Sequence, residues 1–125
     1  MKSLIISALI LLTVISVSVF GALFTEKKLG EFEEDIESAI PDGVEDIRII
    51  ASGAKALEQR YENIGKYLIL LIHDDEVREI EEHIADIKSA ASSNEPADAI
   101  TAKNRLILHI RQLRRLSKFS PEAIF

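Results

Sequence analysis

Three histidines and the acidic residues near them are the side chains best suited to chemistry. His73 precedes the acidic run 74–76, and His83 lies one helical turn after Glu79. Imidazole and carboxylate groups can together ligate a divalent metal ion. The chain has neither the Glu-x-x-His pair of di-iron bundles nor the His-Glu-x-x-His motif of zinc proteases. We therefore expect solvated helix-end and surface residues here, with no metal site.

Other catalytic patterns are equally sparse. His109 falls beside the apolar stripe of a predicted helix, where a single imidazole is more often a packing residue with one hydrogen bond than a catalyst. There is no Gly-x-Ser-x-Gly elbow, no cluster among the five glycines that would form a phosphate loop, and no cysteine. The sequence thus predicts a protein that is not an enzyme, with no catalytic residue, no cofactor-binding residue and no cofactor.

Charge narrows the choice of partner. The 125 residues carry 15 basic and 21 acidic groups, a net charge of −6, and Lys2 is the only charged residue before Glu26. This balance argues against a nucleic-acid partner, because phosphate neutralisation needs a basic surface. The lack of cysteine leaves the redox compartment open.

Residues 4–24 form one uncharged apolar stretch. As a helix this stretch would be about 32 Å long, enough to cross a hydrocarbon core of about 30 Å. We predict a retained transmembrane signal-anchor. The alternative is a cleaved secretory signal, whose apolar part is usually about 7 to 15 residues long, with cleavage after Ser18 or Gly21.

The flanks of the apolar stretch set its expected orientation. Only residues 1–3 precede it, whereas Lys27 and Lys28 follow it among glutamates, so positive charge is not one-sided. So short a tail is typical of a signal-anchor whose N terminus stays in the cytoplasm. We predict a single-pass protein of the cell membrane, with a cytoplasmic tail at 1–3, lipid contact through 4–24 and an extracytoplasmic domain at 26–125.

Helical periodicity continues through the rest of the chain. It predicts an all-α fold, in which an N-terminal transmembrane helix is followed by a small bundle of three to four helices. The expected helices are about 26–40, 44–72, 76–92 and 96–118. Residues 41–43 predict a turn, an aspartate after His73 predicts the cap of the third helix, and 92–96 predict the last connection. Residues 120–122 predict a final short turn.

The fourth predicted helix is basic, whereas the third is acidic. We expect these two helices to pack as an antiparallel hairpin, with opposite charges paired between them. The apolar residues expected at the contact are Ile80, Ile84 and Ile87 against Leu106, Ile110 and Leu113, and the expected acidic partners are Glu76, Glu79, Glu81, Glu82 and Asp86. The alternative is that the basic helix faces a membrane surface or an anionic partner.

Helix length adds a geometric expectation. No turn signal separates the apolar stretch from the helix at 26–40, so the two are expected to form one rod. A straight second helix of about 43 Å, returning antiparallel, would carry His73 and Asp74 into the bilayer. We therefore predict a break near Gly53 or a swing at Gly30, either of which keeps the bundle close to the membrane.

Two segments resemble a known family. Residues 66–88, KYLILLIHDDEVREIEEHIADIK, and residues 106–125, LILHIRQLRRLSKFSPEAIF, together with the apolar anchor, resemble the uncharacterised bacterial family called domain of unknown function 4363. Where members of that family have a tryptophan shortly before the histidine, this chain has Tyr67. The resemblance implies a membrane-anchored helical protein of spore-forming Gram-positive bacteria, and it implies no activity and no active-site residue.

Two hypotheses about function follow. The first is a structural or protein-interaction module of the cell envelope, tethered by residues 4–24 and docked on another membrane or envelope protein. The second is a small-ligand-binding helical protein, secreted if its signal is cleaved. A filled core favours the first hypothesis, and a roomy pocket between helices favours the second.

Overall fold

Four helices make up almost all of the protein. The structure is a computed structural model that describes the backbone of residues 1–124 and the side chains of residues 1–116. The helices are α1 (Lys2–Ala39), α2 (Ile47–Leu71), α3 (Asp74–Ser92) and α4 (Pro96–Ile124). No strand occurs among the residues that the structure describes. The predicted all-α fold, with a long apolar first helix followed by a helical bundle, is confirmed.

The helices form an antiparallel bundle in which each contacts the next in the chain and α4 packs back against α1. Contacts between α1 and α2 run in opposite directions along the two helices. The Tyr61 ring lies 5.9 Å from that of Phe32, and further down the pair the Tyr67 ring lies 5.8 Å from that of Phe24. This is the up-down-up-down arrangement that short connections favour. A single helix, α1, therefore supplies both the apolar N-terminal segment and the first helix of the bundle.

One apolar core runs along the bundle, and all four helices contribute to it at spacings of three and four residues. Its fully buried members include Leu29, Phe32, Ile36, Ile50, Leu57, Leu68, Ile80, Ile87, Leu106 and Ile110. The six residues expected between α3 and α4 are all buried, and the two helices pack together as predicted. The core therefore follows the apolar stripes of the sequence.

Caps set the start of two helices. The Asp46 side chain accepts a hydrogen bond of 3.0 Å from the backbone N–H of Arg48, so α2 begins three residues later than predicted. The His73 ring caps α3, because its Nδ1 accepts a hydrogen bond of 3.3 Å from the N–H of Asp75. The prediction of an aspartate cap is therefore wrong. The aspartates instead lie in the first turn, where carboxylates favour the positive end of the helix dipole.

The predicted connection at 92–96 is present, with Asn94 in the left-handed region at φ 56°. The predicted end of α4 at 118 is too early, because the helix continues to Ile124. Pro121 removes only one backbone donor in the last turn, and the chain keeps its helical path there.

Helices α1 and α2 are both unbroken, so the predicted break near Gly53 and the predicted swing at Gly30 are both wrong. A Cβ atom at Gly53 would overlap the carbonyl oxygen of Ala39 and lie 2.7 Å from Cγ1 of Ile40. A Cβ atom at Gly30 would lie 3.3 Å from Nη2 of Arg114. Both glycines permit close packing between helices, and neither interrupts its own helix.

The register between α1 and α2 explains why neither helix needs a bend to keep His73 and Asp74 out of the bilayer. Gly53 lies beside Ala39, and Leu71 lies beside Gly21, so the two helices pair over about 27 Å at the usual helical rise. The first six residues of α2 therefore extend beyond the outer end of α1, and α2 descends only to the level of Gly21. The α1–α2 contact therefore begins at Gly21, and a segment of about 28 Å, residues 2–20, extends beyond α2; we call it the free segment.

Candidate functional site

The free segment, residues 2–20, is mostly exposed and, after Lys2, carries no charged residue. Most of its large side chains are more than half exposed, including Leu9 at 57% and Leu12 at 61%, whereas Ile15 and Val19 are partly buried. Among the described residues, α1 is the one helix that is long and apolar enough to cross a membrane, although an N-terminal signal sequence would pass the same test. A helix that is apolar all round needs an apolar environment on every side. The free segment is therefore a candidate membrane span.

Apolar side chains continue from the free segment onto the bundle. Four of them lie where α1 enters the bundle, and we call this set the apolar collar: Phe20 (70% exposed), Leu23 (65%), Ile69 (57%) and Leu70 (82%). The half-exposed Tyr67 packs edge-on against Phe24 just above the collar. The Nζ of Lys28 lies 5.5 Å from the centre of the Phe24 ring. Aromatic rings next to lysines are typical of the boundary between hydrocarbon and headgroups.

Two arginines of α4, Arg111 and Arg114, contact glutamates of α1. Arg114 donates two hydrogen bonds to Oε1 of Glu26, at 2.8 and 3.2 Å, and its Nη1 lies 3.5 Å from Glu33. Arg111 contacts Glu33 at 3.4 Å and Glu37 at 3.6 Å. The hydrogen bond with Glu26 raises the pKa of the Arg114 guanidinium above its ordinary value. These ion pairs bridge α1 and α4.

The prediction that α4 pairs its arginines with the acidic residues of α3 is therefore wrong. Helix α4 has two neighbours, and a charge total for each helix does not say which face carries the charge. The face of α4 toward α3 carries the buried residues Leu106, Ile110 and Leu113 together with His109. In the part of the chain with described side chains, His109 is the residue of α4 that approaches acidic groups of α3.

Another basic residue of α4 holds the turn between α1 and α2. Lys103 is fully buried along its stem, and its Nζ lies 2.7 Å from Oδ1 of Asp42 in that turn. The hydrogen bond with Lys103 lowers the pKa of the Asp42 carboxyl below its ordinary value of 3.8. This ion pair fastens the outer end of the bundle.

Two glutamates and two histidines meet between α3 and α4, and we call them the His–Glu cluster: Glu76, Glu79, His83 and His109. The Nε2 atom of His109 lies 3.3 Å from Oε2 of Glu76, and its Nδ1 lies 3.7 Å from Oε2 of Glu79. The Nε2 atom of His83 lies 3.7 Å from the other oxygen of Glu79. The two imidazole rings are 5.7 Å apart. One ligand atom from each of Glu76, Glu79 and His109 fits within a span of 4.8 Å.

His109 is only 6% exposed, as expected of a packing residue. Its Nε2 atom nevertheless has no hydrogen-bond partner among the described residues, because Glu76 lies off the direction that a hydrogen bond requires. The buried Nδ1 of His83 is unpaired as well. His109 therefore differs from the prediction, which gave it one satisfied hydrogen bond.

Sequence reasoning grouped these residues differently. It placed His73 with the acidic run 74–76, but the structure uses His73 as a helix cap and leaves that end of α3 exposed. It paired His83 with Glu79 and left out His109, which lies 30 residues later. The helical spacing of Glu76, Glu79 and His83 was a usable signal, since positions three and seven residues apart share one face of a helix.

An open groove of about 420 Å³ lies on the surface between α2 and α3. Its lining includes Tyr61, Gly65 and Ile84, with charged residues of both signs around them. Tyr61 donates a hydrogen bond of 3.2 Å to the carbonyl oxygen of Val77, and burial raises the pKa of its hydroxyl. An ion pair between Lys88 and Glu58 spans the groove. The groove is therefore open to solvent, and the core residues Tyr61 and Ile84 form part of its lining.

Comparison with known proteins adds no assignment. No family model matches the chain, and neither a curated protein nor a solved structure is found to match it. The family resemblance carried by residues 66–88 and 106–125 stays a prediction. Function is therefore argued from the contacts described above.

Proposed function

We propose that this protein is a membrane-anchored, extracytoplasmic helical module that docks on another membrane or envelope protein. The observation that carries the proposal is the free segment, residues 2–20. It carries no charged residue after Lys2, is about 28 Å long, and ends at the apolar collar. A bilayer would cover both surfaces at once, with the collar at headgroup depth. The bundle would then stand on the membrane.

The proposed orientation places the N terminus in the cytoplasm and the bundle outside. The proposal includes membership of the bacterial family named above, with its single anchor in the cell membrane.

The proposed docking surface is the groove between α2 and α3. The hollow on the α1–α4 seam is lined by charged residues alone, whereas the groove presents Gly65, Ile84 and Ala85 between charged rims. A partial apolar floor with a polar rim is the usual composition of a protein interface. Because the bundle stands on the membrane in this proposal, the groove faces sideways, toward a partner in the same membrane.

Small-ligand binding remains the second candidate. The groove volume of about 420 Å³ lies within the range of ligand pockets, roughly 300 to 1,000 Å³. A ligand pocket usually encloses most of its ligand, whereas this groove is open along its length. The filled core supports the interaction module instead.

Anchoring is tested on the native protein in its membrane. We expect intact chains of 13.9 kDa that stay in the pellet after carbonate extraction. A mature N terminus just after Ser18 or Gly21, with the protein in the soluble fraction, would contradict the anchor and favour the secreted alternative.

Docking is tested by site-specific photo-crosslinking in membranes. A photoreactive residue replacing Ala85 in the groove is expected to give a discrete protein adduct, and the same residue replacing the exposed Gln112 of α4 serves as the matched control. Equal adducts at both positions, or none at Ala85, would contradict the α2–α3 docking surface.

A further inference from the structure

We propose that the His–Glu cluster binds one divalent transition-metal ion of the zinc class, ligated by the carboxylates of Glu76 and Glu79 and by the imidazole of His109. This inference goes beyond the proposed function, because it assigns a chemical site within the bundle itself. It also reverses the expectation from sequence that the chain holds no metal site.

Geometry supports the proposal. The atoms bound to a tetrahedral ion at about 2.0 to 2.1 Å lie about 3.3 Å from one another. The distance between Nε2 of His109 and Oε2 of Glu76 is 3.3 Å, and the three candidate ligands together fit within 4.8 Å. The Glu79 side chain is half exposed, so it is free to rotate toward the other two ligands. Water can take the remaining position, as in open zinc sites.

The state of His109 is an independent observation. Its Nε2 atom is buried and has no hydrogen bond within the described part of the protein, although a carboxylate oxygen of Glu76 lies 3.3 Å from it and one of Glu79 lies 3.7 Å from Nδ1 of the same ring. A buried polar atom without a partner destabilises a fold unless something binds it. A metal ion satisfies this nitrogen and both carboxylates together.

The chemical types of the three ligands, one imidazole and two carboxylates, indicate which class of ion would bind. Magnesium and calcium prefer oxygen ligands alone, whereas an imidazole with carboxylates suits zinc and its neighbours in the first transition row. Nε2 of His83 lies 3.7 Å from Oε1 of Glu79, whereas His109 approaches Oε2, so His83 is placed to orient that carboxylate. The site is reached from solvent, since the Glu76 and Glu79 side chains are 36% and 50% exposed.

The site would also join two helices. Glu76 and Glu79 lie in the first two turns of α3, and His109 lies in the middle of α4. A bound ion would therefore fasten the α3–α4 seam, where the described ion pairs involve only His109 on the α4 side.

The test uses the full-length chain in detergent, stripped of metal with a chelator and then titrated with Zn²⁺. Equilibrium dialysis with elemental analysis is expected to give one Zn²⁺ per chain, and Co²⁺ is expected to give the visible absorption of a tetrahedral site. The variants Glu76→Gln and His109→Gln are expected to bind Zn²⁺ at least about tenfold more weakly. Glu76 is partly exposed, so Glu76→Gln keeps the fold, which circular dichroism verifies.

Two control variants change a carboxylate and an imidazole that are not proposed as ligands. Glu82→Gln changes an exposed carboxylate on α3 outside the cluster, and His73→Gln changes the exposed imidazole at the start of that helix. Both are expected to bind Zn²⁺ like the unchanged chain. If no stoichiometric Zn²⁺ binding is found, the proposal is overturned, and His109 is a partner of the carboxylates alone. Binding that survives Glu76→Gln and His109→Gln, or that is lost in His73→Gln, would overturn it as well.

Discussion

The two ends of the bundle are built in opposite ways. At the outer end, α2 packs directly on the last turn of α1 at Gly53, and the buried Lys103 is paired with Asp42. Asp46 caps the helix that starts there. Each of these contacts satisfies a polar group or excludes water, as the end of a bundle in solution requires.

At the opposite end, large apolar side chains are left uncovered. The apolar collar is 57 to 82% exposed, and the free segment of α1 extends beyond it. An exposed apolar surface of this kind on a soluble protein marks a contact with something else. The difference between the ends indicates that the bundle has one face for water and one for an apolar partner, which we propose to be the bilayer.

The largest change in the free energy of unfolding is expected from substitutions in the core, which runs between the two ends. Ile84→Ala or Ile110→Ala is predicted to lower the free energy of unfolding by about 2 to 5 kcal/mol, because each leaves a cavity between α3 and α4. Glu82→Ala, on the exposed face of α3, is predicted to cost less than about 1 kcal/mol. Denaturant unfolding in detergent measures all three. Equal, small effects would show that the α3–α4 core is absent.

The next prediction compares two glycines of α2, one at the outer end of the bundle and one nearer the collar. Gly53→Ala at the outer end is predicted to cost about 1 to 3 kcal/mol, since the added methyl overlaps the Ala39 carbonyl. Gly65→Ala, nearer the collar, meets only ordinary contacts with Tyr61 at 3.6 Å. It is predicted to be neutral or to stabilise by up to about 1 kcal/mol through helix propensity. Thermal unfolding compares them, and a larger loss at Gly65 would reverse the packing assignment.

A smaller effect is expected on the pH dependence of stability, through the ion pair between Asp42 and Lys103 at the outer end. The ion pair lowers the pKa of Asp42 in the folded protein below 3.8. Its contribution is therefore complete above that ordinary value and is lost as the pH falls through the lowered pKa. Asp42→Asn is predicted to flatten the pH dependence of unfolding in this acidic window and to leave the slope near neutral pH unchanged. An unchanged acid limb in the variant would contradict the role of the pair.

The smallest effect on folding is expected at the collar. Leu70→Gln changes a side chain that is already 82% exposed, so unfolding in detergent is predicted to shift by no more than about 0.5 kcal/mol. Leu68→Gln is the matched buried control and is predicted to be strongly destabilising. In lipid vesicles, however, Leu70→Gln is predicted to reduce the depth at which the collar sits. A large loss of stability in detergent would mean that Leu70 belongs to the core.

Local patterns in the sequence predicted the fold well. Apolar spacing placed the stripes of all four helices, and the turn residues at 41–43 and 92–96 placed two connections. The wrong predictions concern properties that depend on two helices at once. Gly53 was interpreted by its low helix propensity, but its role is set by the Ala39 carbonyl across the interface. Propensity describes one helix and carries no information about its neighbour.

The candidate site was harder to predict for the same reason. Charge totals paired α4 with α3, whereas Arg111 and Arg114 turn to α1. His109 was assigned to packing from its position beside an apolar stripe. Its closeness to Glu76 and Glu79 depends on the register of two antiparallel helices, which periodicity leaves open.

The central claim, that the free segment and collar sit in a bilayer while the outer end stands in water, is tested most directly by depth measurement. The chain has no cysteine, so single spin labels can be attached at Leu12→Cys, Leu70→Cys and Ser93→Cys. In vesicles we predict deep hydrocarbon exposure at residue 12, headgroup depth at residue 70 and free water at residue 93. Equal exposure of the labels at residues 12 and 93 to water, or exposure of the label at residue 70 to bulk water, would contradict the account.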